Sequence, residues 1–189
     1  MPTAFQKELV TLSHRLADLC ALVAIALEEA TRSVLESDDT LGGRVREQVA
    51  AAAALGAACE DQACALPALH APREAEVKAV VAAVHTAADL TRMGGLAREV
   101  ADARGPVPSA ARPALARLGV QAVAAARALG EMLAGAAERE LREWVDGREW
   151  PRGTGAAVDL ALLAGIHVRF AAAAVGIARR AAGFAPVGA

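Results

Sequence analysis

The side chains best able to do acid–base or metal chemistry are few in this chain and lie far apart. Among the four histidines, His85 has a carboxylate at helical spacing, that of Asp89. Such a pair shares one helix face and could bind a metal or exchange a proton, although a surface ion pair is the more common outcome. The chain contains no HExxH, GxSxG, phosphate-loop or dinucleotide motif. We therefore predict no catalytic residues and no enzyme.

The three cysteines do not indicate a disulfide framework or a zinc site. Their number is odd, they show no CxxC spacing, and they occupy positions 20, 59 and 64. The N-terminus has no uninterrupted apolar segment of the signal-peptide kind. The apolar stretch 156–178 carries Asp159, His167 and Arg169, so no transmembrane helix is expected. These features predict a cytoplasmic protein.

Composition predicts a helical chain with a core of small aliphatic side chains. Of 189 residues, 55% are apolar but only 3% aromatic, tyrosine is absent, and 51 are alanine, the strongest helix former. The net charge of -2 and the lack of aromatic platforms exclude a dedicated nucleic-acid binder.

Apolar residues at alternating steps of three and four predict long helices. The first helix should cover about 4–35, followed by a turn and N-cap at Ser37–Asp39 and a second helix interrupted near Pro67. A third helix should open at Pro72 and end near 104–106. A fourth should run to about 134, a short fifth should cover 136–145, and the last should start at 151–154.

An internal repeat organises these helices. Shifting the sequence by 77 positions places Arg92 on Arg169 and Val81 on Val158, and a Pro-Arg dipeptide opens the third and last helices. The repeat predicts two domains, 1–104 and 105–189. The stretch between the long helix and the Pro-Arg dipeptide is less than half as long in the second domain, so its middle helix should be shortened.

Several stretches together resemble the PhoU family of phosphate-transport accessory regulators. They are LPALHAPREAEVK at 66–78 and ADLTRMGGLA at 88–97, with REW at 148–150, AVD at 157–159, RFA at 169–171 and IARR at 177–180. The resemblance implies two tandem three-helix bundles and no known catalytic reaction. It also implies restraint of the phosphate-starvation response by contact with a transporter ATPase, a sensor histidine kinase or both. Any membrane association would be peripheral, through these partners.

Many PhoU proteins hold a metal cluster through paired carboxylates four residues apart. The equivalent positions here are Thr91 and Gly95 in the first repeat and Val168 and Ala172 in the second. None supplies a carboxylate, and all four fall on apolar stripes that should face the bundle, so we expect no metal and no cofactor. The resemblance leaves Arg73, Lys78, Arg92 and Arg169 as candidate interaction residues.

The shortened repeat also predicts a homodimer, since an exposed apolar groove would remain on the fourth and last helices. Its candidate residues are Leu118, Val123, Leu129, Met132, Leu133, Leu160, Leu162, Leu163 and Ile166. The alternative is closure of these two helices on each other.

The alternative function is a divergent helical-bundle binding protein for another partner or a small ligand. A third class, the carboxylate metal-storage or oxidase bundle, is disfavoured because this sequence lacks the Glu-x-x-His motifs of that class.

Overall fold

The computed structural model describes residues 4–69, 74–103, 105–128 and 155–181. These residues form five α-helices and no strand: α1 (Ala4–Glu36), α2 (Asp39–Leu69), α3 (Glu74–Ala101), α4 (Arg112–Ala128) and α5 (Gly155–Ala181). The predicted all-α class is therefore confirmed. Two of the predictions lie outside the described residues. They are the candidate interaction residue Arg73 and the helix over 136–145, which would be the shortened middle helix of the second repeat.

Local sequence determines the junction between α1 and α2. Asp38 Oδ1 accepts hydrogen bonds from the backbone N–H of Thr40 at 2.9 Å and of Leu41 at 3.2 Å, which makes it the N-cap of α2. Ser37 adopts a φ of 57°, and Ser33 Oγ donates to the Asp38 carbonyl at 2.9 Å. The expected turn and cap are present.

The predicted interruption near Pro67 is wrong. The helix α2 continues through Pro67 and ends two residues later, at Leu69. Proline lacks the N–H that would bond four residues back, and in the last turn only this one bond is lost before the helix ends.

The helices α1 and α3 lie at the centre of the described structure, because each of them contacts three other helices. The first three helices pack on one another, while α1 also packs against α4 and α3 also packs against α5, and α4 and α5 contact each other. The resulting core runs through all five helices, and its largest fully buried side chains include Leu12, Leu19, Leu27, Leu66, Leu90, Met93, Leu115, Leu118, Phe170 and Ile177. The helices of the two predicted domains therefore share this core.

Glycines allow close helix contacts at two places. A Cβ on Gly56 of α2 would lie 2.1 Å from Thr91 Oγ1 on α3, and one on Gly119 of α4 would lie 2.6 Å from Thr31 Cγ2 on α1. A real Cβ atom does not come this close to a side chain of a neighbouring helix. The two glycines therefore permit the observed spacing between α2 and α3 and between α1 and α4.

A buried polar pair joins α1 to α5. The His167 side chain is fully buried, with Nε2 3.0 Å from Thr31 Oγ1 and Nδ1 2.9 Å from the Leu163 carbonyl oxygen. Because a carbonyl only accepts, the imidazole carries a proton on Nδ1. The single Thr31 hydroxyl proton lies between two acceptors, the Leu27 carbonyl oxygen at 2.8 Å and His167 Nε2. Burial lowers the pKa of His167 below its ordinary value, although the Leu163 carbonyl acts in the opposite direction.

Within the part of the chain that the structure describes, three helical segments are long and apolar enough to cross a membrane by length and composition: Lys7–Glu36, Asp39–Ala68 and Asp159–Ile177. The charges in the last segment therefore do not exclude a span, contrary to the expectation from sequence. In the structure these helices place buried apolar side chains such as Leu19, Leu66 and Phe170 in the shared core.

Candidate functional site

A groove of about 580 Å³ lies between α3 and α5. From α3 it is lined by Arg92, Gly95, Leu96 and Glu99, together with Asp89 and Met93. From α5 it is lined by Arg169, Ala172, Ala173 and Gly176. Each of these four residues lies 77 positions after one of the first four, so the groove combines equivalent faces of the two repeats.

Ion pairs occupy both ends of the groove. Arg92 contacts the Asp89 carboxylate within α3, and Arg169 Nη2 of α5 lies 3.1 Å from Glu99 Oε2 of α3. The Arg92 side chain is 73% exposed, whereas that of Asp89 is 16% exposed. The Asp89 carboxylate is therefore largely covered while the paired guanidinium reaches solvent.

The floor and walls between these ion pairs are apolar and small. Nothing lies within 4 Å of a Cβ placed on Gly95, so this position opens into free space. Met93 is buried, Leu96 is partly buried, and Ala172 is exposed. The groove thus offers an apolar surface between two arginine–carboxylate ion pairs.

The apolar stripes predicted that the four positions equivalent to the family's carboxylates all face the bundle interior. In the structure only some of them do. Gly95 and Ala172 line the groove, whereas Thr91 points at Gly56 of α2 and Val168 packs against the core. The difference arises because residues four apart on a helix are separated by about 40° around its axis. One member of each pair can therefore face a neighbouring helix while the other reaches the groove.

The residues present do not fit a cluster of hard metal ions. Within the described ranges, no group of three His, Cys, Asp or Glu side chains is placed to hold a metal. The two groove carboxylates belong to different ion pairs with arginine. A hard cation requires several oxygen ligands converging on one point.

The other candidates from sequence lie along or outside this site. The Lys78 side chain is exposed and pairs with Glu74 at 2.7 Å on α3, and Arg73 lies outside the described residues. His85 is exposed on the same helix, and Asp89, expected from sequence to pair with His85, pairs with Arg92. Glu99 was not among the candidates predicted from sequence. The packing of the α3 face that carries Arg92 against the α5 face that carries Arg169 was not predicted either, although the 77-residue shift contained the signal for their equivalence.

The described residues thus form an all-α helical bundle with a groove between two of its helices. A family model, the PhoU domain, matches residues 16–103. The chain is 36% identical to the phosphate-specific transport system accessory protein PhoU homolog 2 of Mycobacterium tuberculosis over 203 aligned positions, covering 95% of each protein. It is 34% identical to PhoU homolog 1 of Mycobacterium leprae, covering 95% of this chain and 91% of that protein. The chain therefore belongs to the PhoU family.

Solved structures support the fold. The crystal structure of PhoU from Pseudomonas aeruginosa matches with a TM-score of 0.81 and 16% identity, covering 93% of this chain and 96% of that one. The phosphate transport system regulatory protein PhoU from Streptococcus pneumoniae matches with a TM-score of 0.79 and 17% identity, covering 93% and 94%. The expected PhoU resemblance is confirmed.

Proposed function

We propose that this protein regulates phosphate transport and phosphate-starvation signalling by contacting a phosphate-transporter ATPase, a sensor histidine kinase or both. Similarity over 95% of the chain to proteins named as phosphate-specific transport accessory proteins carries the proposal. The groove supports it, because its exposed guanidiniums and apolar floor suit binding.

In the proposed function the protein acts by binding its partners and catalyses no reaction. Among the described residues its groove has two arginines and two carboxylates held in ion pairs, and no serine, cysteine or histidine lines it. It is cytoplasmic and reaches the membrane only through its partners.

The alternative function is binding of a small ligand by a divergent family member. One observation favours it: a volume of about 580 Å³ falls in the range of small-molecule sites. A ligand that replaces the protein partners would bind the purified chain and leave no transporter component associated with it.

Reciprocal pull-downs from phosphate-replete and phosphate-starved cells test the proposal. We expect tagged protein to recover the transporter ATPase or the sensor kinase, each tagged partner to recover this chain, and the amount to change with phosphate supply. Recovery of neither partner under either condition contradicts the proposed function and favours the alternative.

A further inference from the structure

Four of the helices form a bundle that closes on itself. Around this four-helix bundle α1 packs on α3, α3 on α5, α5 on α4 and α4 on α1, while α2 packs outside against α1 and α3. Among the described helices, α1 and α5 have no backbone contact with each other, so they lie across one diagonal of the bundle. The 3.0 Å hydrogen bond between Thr31 Oγ1 and His167 Nε2 joins these two helices. It crosses the bundle interior along that diagonal.

The diagonal contact contains fewer protons than hydrogen-bond acceptors. Its three acceptors are the Leu163 carbonyl oxygen, the Leu27 carbonyl oxygen and Nε2 of the uncharged imidazole. The uncharged imidazole and the Thr31 hydroxyl supply two protons, so one acceptor stays without a donor. A third proton on Nε2 would let His167 donate to Thr31 and Thr31 donate to Leu27. The hydrogen-bond geometry therefore accommodates a protonated imidazole, and the burial of its charge is what opposes protonation.

The surroundings of His167 offer no opposite charge to a protonated imidazole. Its hydrogen-bond partners, the Thr31 hydroxyl and the Leu163 carbonyl, are uncharged. The charged residues that flank this contact on the packed helices are exposed: Glu28 and Arg32 on α1, Arg98, Glu99 and Asp102 on α3, Arg117 on α4, and Asp159 and Arg169 on α5. Glu29 of α1 is partly buried and pairs with Arg44 of α2. A charge buried without a partner costs more than an unbonded acceptor, so burial lowers the pKa of His167.

Release of α5 is the smallest rearrangement that brings a charged His167 to water. The helices α1, α2 and α3 each pack on both of the others, whereas α5 packs only on α3 and α4 within the described structure. Its outer face is exposed at Leu162 and Arg169. The ion pair between Arg169 and Glu99, which also joins α5 to α3, is exposed and contributes little to stability. Since the groove is formed by α3 and α5, its shape changes when α5 moves.

We propose that the contact between His167 and Thr31 is a proton-sensitive latch, which keeps α5 in the bundle while the imidazole is uncharged and releases it when the imidazole takes up a proton. The proton binds at Nε2, and the released state exposes the charged imidazole to water. Acidification thereby opens the groove between α3 and α5 while α1, α2 and α3 stay packed. This inference goes beyond the proposed function and holds for any partner or ligand of the groove.

Hydrogen–deuterium exchange with mass spectrometry tests the latch on the full-length protein at about pH 7.5 and about pH 5.5. After correction for the intrinsic effect of pH on exchange, we expect α5 peptides of the wild type to exchange faster at the lower pH, whereas α1 and α2 peptides keep their protection. His167→Gln should lose this increase, because glutamine does not titrate. His85→Gln is the matched control, since His85 is exposed on α3, and should retain it. Absence of the increase, an equal increase in His167→Gln, or an increase of the same size in all helices overturns the inference.

Two substitutions of Thr31 measure its hydroxyl separately from its packing, because Thr31→Ser and Thr31→Ala differ only by the hydroxyl. At about pH 7.5 we expect α5 of Thr31→Ala to exchange faster than α5 of Thr31→Ser, and thermal unfolding of both establishes that they are folded. Nitrogen NMR of the imidazole should show the proton on Nδ1 at this pH and a pKa of His167 below its ordinary value of 6.5. Equal exchange in the two variants, or a pKa at or above 6.5, overturns the inference. No partner takes part in these measurements, so their outcome is independent of the pull-downs.

Discussion

At the scale of single residues, His167 makes stability depend on pH. Burial holds the pKa of His167 below its ordinary value of 6.5, so below that pH the unfolded chain binds a proton that the native protein excludes. The free energy of unfolding should therefore fall as the pH drops below about 6.5. Above that pH its contribution is constant.

Urea unfolding at about pH 7.5 and about pH 5.5 measures this dependence. We expect His167→Gln to show a smaller loss of stability on acidification than the wild type. His85→Gln, at an exposed position, should retain the wild-type loss. Equal losses in all three proteins would show that His167 does not contribute.

Gly119 should tolerate no side chain. A Cβ there would lie 2.6 Å from Thr31 Cγ2 and 3.0 Å from Oγ1, and Thr31 is held by the His167 contact. We expect Gly119→Ala to lower the free energy of unfolding by about 1–3 kcal/mol, as overpacking does. Gly43→Ala is the control, since nothing lies within 4 Å of its Cβ and alanine favours the helix by up to about 1 kcal/mol. A stable Gly119→Ala protein would contradict the close contact.

At the scale of elements, the contact between α2 and α3 depends on one pair of residues. Gly56 faces Thr91, whose Oγ1 is buried without a hydrogen-bond partner. We expect Gly56→Ala to cost about 1–3 kcal/mol through overlap with Thr91, and Thr91→Ala to be near neutral because it removes an unpaired hydroxyl. The double variant should therefore be about as stable as Thr91→Ala alone.

Urea denaturation of these four proteins gives the coupling energy between the two sites. Purely additive effects would mean that Gly56 and Thr91 do not determine the helix spacing.

Helix ends were more accessible from sequence than helix partners. Asp38 caps α2 through its own side chain, so the sequence around it was sufficient to place the junction. The interruption predicted at Pro67 was wrong, because a proline disrupts a helix only where further turns follow it, and α2 ends two residues later. The periodic stripes on α3 and α5 predicted which residues share a face. They did not indicate that the faces with Arg92 and Arg169 meet, since this requires the packing of two helices distant in sequence.

At the scale of the whole molecule, the shared core predicts cooperative unfolding. The helices α1 and α3 each contact helices of the second predicted domain, and Cys20 Sγ of α1 lies 3.3 Å from the Ala126 carbonyl oxygen of α4. We expect the full chain to unfold in one transition by circular dichroism, with equal calorimetric and van't Hoff enthalpies. The fragment 1–104 should unfold at lower denaturant or aggregate, because it exposes the surfaces of α1 and α3 that α4 and α5 cover.

Two separate transitions, or a fragment 1–104 as stable as the whole chain, would instead support independent domains. The sequence repeat predicted the two units but not their energetic connection. The contacts that should produce this connection involve side chains such as Thr31 and His167, which belong to different repeats and have no sequence signature as a pair.

Self-association is the last property that depends on the whole molecule. Four of the residues predicted to line an open groove, Leu118, Val123, Leu160 and Leu163, are buried. For these four the structure shows the alternative, closure of the helices on each other, while Leu129, Met132 and Leu133 lie outside the described residues. Ile166 is partly buried, and Leu162 is 62% exposed.

The exposed apolar area that remains on α4 and α5 is small. Leu162 on α5 and Val120 on α4 together offer on the order of 200 Å², worth about 5 kcal/mol on contact. Association costs about 4–15 kcal/mol, so we expect any dimer formed through these two side chains to be weak and the monomer to dominate at micromolar concentration. Sedimentation equilibrium measures this, with Leu162→Glu expected to remove residual association without loss of stability. Leu163→Glu should instead unfold the protein, because it places a charge in the core. A tight dimer that survives Leu162→Glu would locate the interface elsewhere.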